Sequence, residues 1–403
     1  MKIVNVSPFP IYPPGHGGQL RVHNINLVLS KKHYIFAFSM GMLPSEFHPP
    51  KSKYTINKIN DNYIEYRYID SFSKFVSKGM IPGTLRTGVL SHILAKSSSK
   101  VLQKELSESN LVQVELPWQF EYLYKITPSD IPIVLDEHDV AYELYEKRFR
   151  RYNISSPVST LLVKRLKEKE HFAVENSDIV FVPSKGDKRK LIQEFGVSSS
   201  KIYVIPNGVD VDKIKPAEFQ EKELLKEKFG FGEKIVILFT GSTHWPNLEA
   251  IKKIIDLARK VRDKRLLFLI VGSGGEKFKR QVKLENVVIT GRVSEVLPYF
   301  KLADIAINTV TSGSGTNVKM LEYMSAGLPI ITTEFGARGL DIKNEVHAII
   351  DDIKEFPFWI EMLANNEDLR VKLSKNARKL VEKKYSWEVI GKKVDKTYRK
   401  LIR

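Results

Sequence analysis

The chain has 403 residues, 42% of them hydrophobic and 28% charged, a formal net charge of +17 and no cysteine. That length exceeds what one hydrophobic core fills, so two domains of roughly 150–200 residues are expected. The lack of cysteine excludes disulfides, cysteine-ligated zinc, iron–sulfur clusters and a thiolate nucleophile, and it fits a reducing, cytoplasmic setting. Short aliphatic and aromatic runs predict strands at 3–6, 34–39, 63–68, 111–115, 131–135, 179–182 and 202–205. Most are apolar almost throughout, as in parallel strands covered on both faces. Helical patterns at 19–30, 90–106 and 158–176 lie between them, which gives an α/β sheet with right-handed crossovers.

After Pro206-Asn207-Gly208-Val209-Asp210 a polar stretch, 212–228, precedes a second series of strands at 235–239, 266–271, 287–290, 305–308, 330–333 and 348–350, with a helix pattern at 248–261. The restart marks a domain boundary and predicts a second doubly wound sheet. The last segment, 369–403, reads as helical and charged, with a break near Tyr385-Ser386-Trp387. The expected division is 1–208, 209–380, and a terminal helix, 381–403, returning to the first domain. The opening apolar run is too short for a signal peptide, and no stretch approaches the roughly 20 apolar residues of a membrane-spanning helix. A soluble protein, at most peripheral on the inner membrane face, is the expectation.

In open α/β sheets ligands bind at the carboxyl ends of strands, so the strand-to-helix loops carry the search. The most informative runs from Ser312 to Pro329: two glycines precede a helix that Gly327 and Pro329 end, so amides near Gly315, Thr316 and Asn317 can face an anion. Lys319 and Glu322 fall on one helical face, while Val318, Leu321 and Met324 can face inward. A carboxylate accepting two vicinal hydroxyls, beside an ammonium meeting phosphate, suits a nucleotide; an ordinary surface ion pair is the alternative. Pro13–Arg21, after the first strand, brings Gly17 and Gly18 to the start of a helix, without the G-x-G-x-x-G fingerprint. At Asp136-Glu137-His138-Asp139 three carboxylates crowd one imidazole that could bond a sugar hydroxyl; a helix cap by Asp139 is the other reading. Gly241, Ser242 and Gly272 follow second-domain strands and can line one cleft floor, with Trp245 as packing and Gly274-Gly275 as a plain turn the alternative. Asp210-Val211-Asp212 has the look of a metal pair but sits at the domain junction, so no metal is expected there.

The whole pattern resembles the family-four (group 1) retaining glycosyltransferases, whose GT-B fold is α/β, with two Rossmann-like domains, a cleft between them and a C-terminal helix returning to the first. The likeness rests on Gly17-Gly18, His138-Asp139, Val204–Asp210, Gly291-Arg292-Val293 before a helix at 296–302, and above all 319–329. Its Leu-Glu-Tyr-Met-Ser-Ala-Gly-Leu-Pro core is similar to the family's Leu-Glu-Ala-Met-Ala-x-Gly-x-Pro. The resemblance implies a nucleotide-diphosphate sugar as donor, held mostly by the second domain, and a glycan or lipid-linked acceptor held by the first. It implies retention of configuration, neither metal nor cofactor, and catalytic roles for His138, Lys319 and Glu322. Gly17, Gly18, Gly241, Ser242, Gly272, Arg292, Ser314, Gly315, Thr316 and Asn317 join Lys319 and Glu322 as donor-binding residues.

Two departures accompany it. Ser314 stands where the family has the first glutamate of its E-x7-E pair, and the loop 242–247 lacks the family's diphosphate-binding arginine and lysine. Lys319 with Arg292 supplies that charge instead. A sugar-nucleotide epimerase of the same architecture and a non-catalytic partner subunit are the competing classes. The basic balance calls for an anionic partner or reflects solvated faces. Segments 72–100, 148–152 and 164–169 could rest on an anionic membrane; no nucleic-acid motif accompanies the charge.

Overall fold

The computed structural model describes residues 1–41, 54–69, 100–151, 156–313 and 315–402. Ser314, Tyr152, residues 72–99 of the basic segment and most of the 90–106 helix pattern lie outside the described residues, as does the Arg148 side chain. The chain divides into two compact units, Met1–Pro206 with Trp387–Arg403, and Asn207–Ser386. No helix of the described residues is long and apolar enough to cross a membrane.

The first unit is built on eight strands: β1 (Lys2–Ser7), β2 (Tyr34–Met40), β3 (Tyr54–Asn60), β4 (Tyr63–Tyr68), β5 (Leu111–Glu115), β6 (Ile133–Asp136), β7 (Ile179–Val182) and β8 (Ile202–Val204). Their order is β3-β4-β2-β1-β5-β6-β7-β8, parallel except for the β3–β4 hairpin. β3 was not anticipated, because Tyr-Thr-Ile-Asn-Lys-Ile-Asn alternates with polar residues and none of it is buried; an antiparallel edge strand needs only one covered face. Val4, Val6, Phe36 and Phe38 fill one side of the sheet, and Ile3, Ile35 and Ala37 the other. On that second side the helix Trp387–Leu401 lays Ile390, Val394 and Tyr398, spaced by four, against the core. Gly391 permits the approach, since a Cβ there would collide with Val28.

The second unit carries β9 (Ile235–Thr240), β10 (Leu266–Val271), β11 (Val287–Gly291), β12 (Ile305–Asn308), β13 (Ile330–Thr332) and β14 (Ile349–Ile350). All are parallel, in the order β11-β10-β9-β12-β13-β14. β9 and β10 are buried almost completely, which is why their sequences read as unbroken apolar runs. Each sheet has a switch point where the winding reverses, between β1 and β5 in one unit and β9 and β12 in the other. Loops leaving those strands diverge to opposite faces and open a crevice for a ligand.

Candidate active site

In the second unit the crevice is headed by the helix Val318–Ser325. Its approach loop turns through Gly313 (φ +126°) and Gly315 (φ +62°), both left-handed, a region L-residues enter only with strain. Met320, Leu321, Tyr323 and Met324 are buried, whereas Val318 is only half-buried, so the inward face lies one residue further round than the sequence suggests. The Tyr323 hydroxyl accepts the Thr240 amide at 2.8 Å and meets Thr240 Oγ1 at 3.1 Å, pinning the helix to the end of β9. Asn317 occupies the N-cap position without capping; its amide donates to the Gly336 carbonyl at 3.2 Å. Thr316 Oγ1 accepts from Asn207 Nδ2 at 2.8 Å.

Lys319 and Glu322 are both half-buried on the remaining face. Lys319 Nζ donates to Asn247 Oδ1 at 2.7 Å and lies 4.0 Å from the centroid of the Phe239 ring. Burial lowers the Lys319 ammonium to about 7, a loss that the neighbouring Glu322 carboxylate only partly opposes. Burial likewise raises Glu322, against the pull of Lys319. A cation and an anion, both shifted by burial, are therefore held on one face of this helix. Asn247 also donates to Ser242 Oγ at 3.2 Å, which ties the loop after β9 to Lys319. Neither Asn247 nor Phe239 was singled out as a Lys319 neighbour; the contact is long-range, 72 residues in the case of Asn247.

The glycines after β9 and β10 serve close packing. Gly272 adopts φ +111°, and a Cβ on it would lie 2.5 Å from the Gly241 carbonyl oxygen. A Cβ on Gly241 would meet the Phe239 ring at 2.8 Å. Both loops thus press together beneath Ser242. Arg292 is exposed just after β11, the edge strand of the sheet. A cation that sequence reasoning missed stands nearer the glycine loop: Arg338 stacks on the Phe335 ring at 3.7 Å, with Nη2 3.9 Å from where a Gly313 Cβ would be. It borders an open cleft of about 840 Å³ at the ends of β13 and β14. Asp210 Oδ1 accepts the amides of Asp212 and Lys213 at 3.1 and 2.9 Å, so that pair folds a turn.

In the first unit, Glu115 and Asp136 are paired as the last residues of β5 and β6, both fully buried. Arg21, from the helix Gly17–Leu29, clamps Asp136 through Nε–Oδ2 at 2.9 Å and Nη2–Oδ1 at 2.7 Å. Of the carboxylates expected around His138, Asp136 keeps an oxygen near the ring but is committed to Arg21. His138 Nε2 pairs instead with Glu115 Oε2 at 2.8 Å, from the neighbouring strand. Glu137 turns into the protein, and among the described residues neither of its oxygens meets a hydrogen-bond donor. Burial and the nearby Glu170, Asp136, Asp139 and Asp187 hold its carboxyl well above the usual range. Glu170, raised by burial to about 7, accepts the amides of Ala141 and Tyr142 at 2.7 and 2.8 Å, heading the helix Ala141–Arg151. Glu115 was overlooked; the signal is a carboxylate ending an apolar strand.

Gly18 lies against the imidazole, and a Cβ there would stand 3.2 Å from His138 Nδ1. Gly17 has open space around it. His16 caps the helix reciprocally with Gln19, and burial, aided by His138, lowers its pKa. Glu115, Asp136 and His138 place ligating atoms within 4.8 Å of one another, a spacing that suits a metal ion. Here Arg21 takes both oxygens of Asp136, and Glu115 Oε1 accepts two amide groups, from Asn5 and Gln113 at 2.6 Å each. The donor set is thus committed to hydrogen bonds and an ion pair.

Two family models match the chain: Glycosyltransferase Family 4 over residues 75–213 and Glycosyl transferases group 1 over residues 234–366. Among curated relatives, the UDP-Gal:alpha-D-GlcNAc-diphosphoundecaprenol alpha-1,3-galactosyltransferase of Escherichia coli is 27% identical over 224 residues, 52% of this chain and 56% of that protein. The chain spans about half to three-fifths of the length of the curated relatives it matches. Among solved structures, sucrose-phosphate synthase from Thermosynechococcus elongatus is similar with a TM-score of 0.71 at 15% identity, covering 100% of this chain and 99% of that one. Anabaena HepE in complex with UDP gives 0.68 at 14%, covering 99% and 100%. The fold is GT-B, with two parallel-sheet Rossmann-like units. Both matched segments are thus similar to glycosyltransferase models, of the Family 4 and group 1 types.

Proposed function

We propose that this chain, matched in both units by glycosyltransferase models, moves a sugar from a nucleotide-diphosphate sugar to a glycan or lipid-linked acceptor, with retention of configuration. The observation that carries the reading is the half-buried Lys319–Glu322 pair at the switch point of the second sheet. Glu322 accepts the ribose hydroxyls, and Lys319 with the amides opening the helix meets the diphosphate. As the glycosidic bond breaks, negative charge grows on the leaving phosphate, and fixed dipoles and a cation stabilise it without a metal. His138 in the first unit bonds a sugar hydroxyl near the reacting carbon. Arg292, or Arg338 beside Gly313, supplies a second cation. A relative named for a diphosphoundecaprenol acceptor and a fold neighbour solved with UDP favour a uridine donor and a lipid-linked acceptor. The basic segments would then rest on an anionic membrane surface.

The test is thermal shift against UDP-, GDP- and ADP-sugars, followed by transfer to polyprenyl-diphosphate-linked sugars, with the anomeric configuration of the product read by NMR. One nucleotide series should raise the melting temperature. Glu322→Ala should weaken its binding by roughly 10- to 100-fold, the scale of hydrogen bonds to a charged group. His138→Ala should mainly slow turnover. Binding unchanged by Glu322→Ala defeats the donor assignment, and an inverted product defeats retention.

A further inference from the structure

A buried polar chain runs in the first unit from the C-terminal helix to His138. The Tyr398 hydroxyl, on the helix Trp387–Leu401, donates to Gln113 Oε1. With its oxygen so engaged, Gln113 turns its amide nitrogen to Glu115 Oε1 at 2.6 Å, and Asn5 Nδ2 reaches the same oxygen at 2.6 Å. Both donors sit on one side of the carboxylate, which leaves Oε2 to His138 Nε2 at 2.8 Å. Asn5, Gln113, Glu115 and Tyr398 are at most 2% exposed, so water does not scramble this polarity. The His138 side chain, 12% exposed, is the chain's outlet to solvent.

We infer that Glu115 is a positioning residue that fixes His138 as its Nε2–H tautomer, with Tyr398 and Gln113 setting the polarity of the relay. A carboxylate can only accept, so the proton sits on Nε2 and Nδ1 keeps a lone pair. Nδ1 lies on the Gly18 side of the ring, where a Cβ would stand 3.2 Å away, and its lone pair can accept from a hydroxyl such as a sugar's. The catalytic part of this inference rests on the transferase reading above. Glu115→Gln inverts the relay: its carbonyl must serve Asn5 and Gln113, so its NH2 points at His138 Nε2 and drives the proton to Nδ1. Shape and packing are kept while the wrong tautomer is installed.

The tautomer is read by long-range 15N correlation spectroscopy on the full chain, histidine-labelled, at pH 8 without sugar nucleotide. His138→Gln identifies the His138 signals among the nine histidines. Wild type should show Nε2–H and Glu115→Gln Nδ1–H. Its kcat should fall roughly 10²-fold with KM for the donor nearly unchanged, the scale of losing one oriented hydrogen bond in the transition state. Tyr398→Phe, which removes only the hydroxyl, leaves Glu115 a carboxylate that can only accept and should keep Nε2–H. An Nδ1–H ring in wild type or in Tyr398→Phe overturns the inference even if Glu115→Gln folds poorly, and Nε2–H retained in Glu115→Gln overturns it as well. A chain with the Nε2–H ring that transfers no sugar fails the transferase reading and leaves the relay standing.

Discussion

Lys319 offers the sharpest quantitative expectation. Among the described residues its ammonium meets Asn247 Oδ1 and the face of Phe239, and burial lowers it from 10.5 to about 7. At pH 8 a group with that value is about one-tenth protonated, and at pH 9 about one-hundredth. A diphosphate placed against it favours the charged form and restores the proton. Binding of a nucleotide sugar at pH 8 should therefore take up close to one proton, roughly 0.9 by the same arithmetic. If only the charged lysine binds, affinity should fall about 50-fold between pH 7 and pH 9. Calorimetry in buffers of different ionisation enthalpy counts the proton; a nucleotide sugar is the right probe because its diphosphate has none to lose near neutrality. The unliganded protein gives an independent check. The folded value lies below the unfolded one, so the unfolded chain holds more protons between pH 7 and 10.5, and stability should rise across that window. Lys319→Met should abolish both the uptake and this lysine's share of the rise. Uptake near zero in wild type, or equal uptake in the variant, refutes the reasoning.

Two further outcomes follow from the first unit. Glu137 is raised, so the native state keeps a proton that the unfolded chain sheds above about 4.5, and stability is lost as pH climbs; Glu137→Gln should raise the melting temperature at pH 8 and leave it almost unchanged at pH 5, as scanning calorimetry can decide. Arg21 and Asp136 are each 1% exposed, so Arg21→Met strands a buried carboxylate and should cost about 3–5 kcal/mol in urea unfolding, whereas a loss below about 1 kcal/mol would show the pair to be replaceable.

Parallel strands were the legible part of the fold, because a strand covered on both faces, such as β10 with all six residues buried, has nowhere to put a polar residue. β3 escaped notice for the converse reason: a half-covered edge tolerates asparagine and lysine, and its pairing with β4 is visible only in register. At the candidate site, Lys319 and Glu322 were found because helical spacing places them together within one segment. Glu115, Asn247 and Arg338 were not, since each meets its partner across a long stretch of chain or through a neighbouring strand, and a single sequence records neither.

His138 shows what that limit means for chemistry. The sequence puts Asp136, Glu137 and Asp139 beside it, yet adjacent residues on an extended chain project to opposite faces. Asp136 accordingly meets Arg21 and Glu137 enters the core, while the strand partner of Asp136, Glu115, reaches the imidazole. Sheet register thus selects the residue that orients the ring. That selection places a carboxylate with only one free oxygen behind Nε2, its other oxygen being held by Asn5 and Gln113. Asp136, the acid two residues before the ring in sequence, has both oxygens held by Arg21, so the orienting role falls to Glu115.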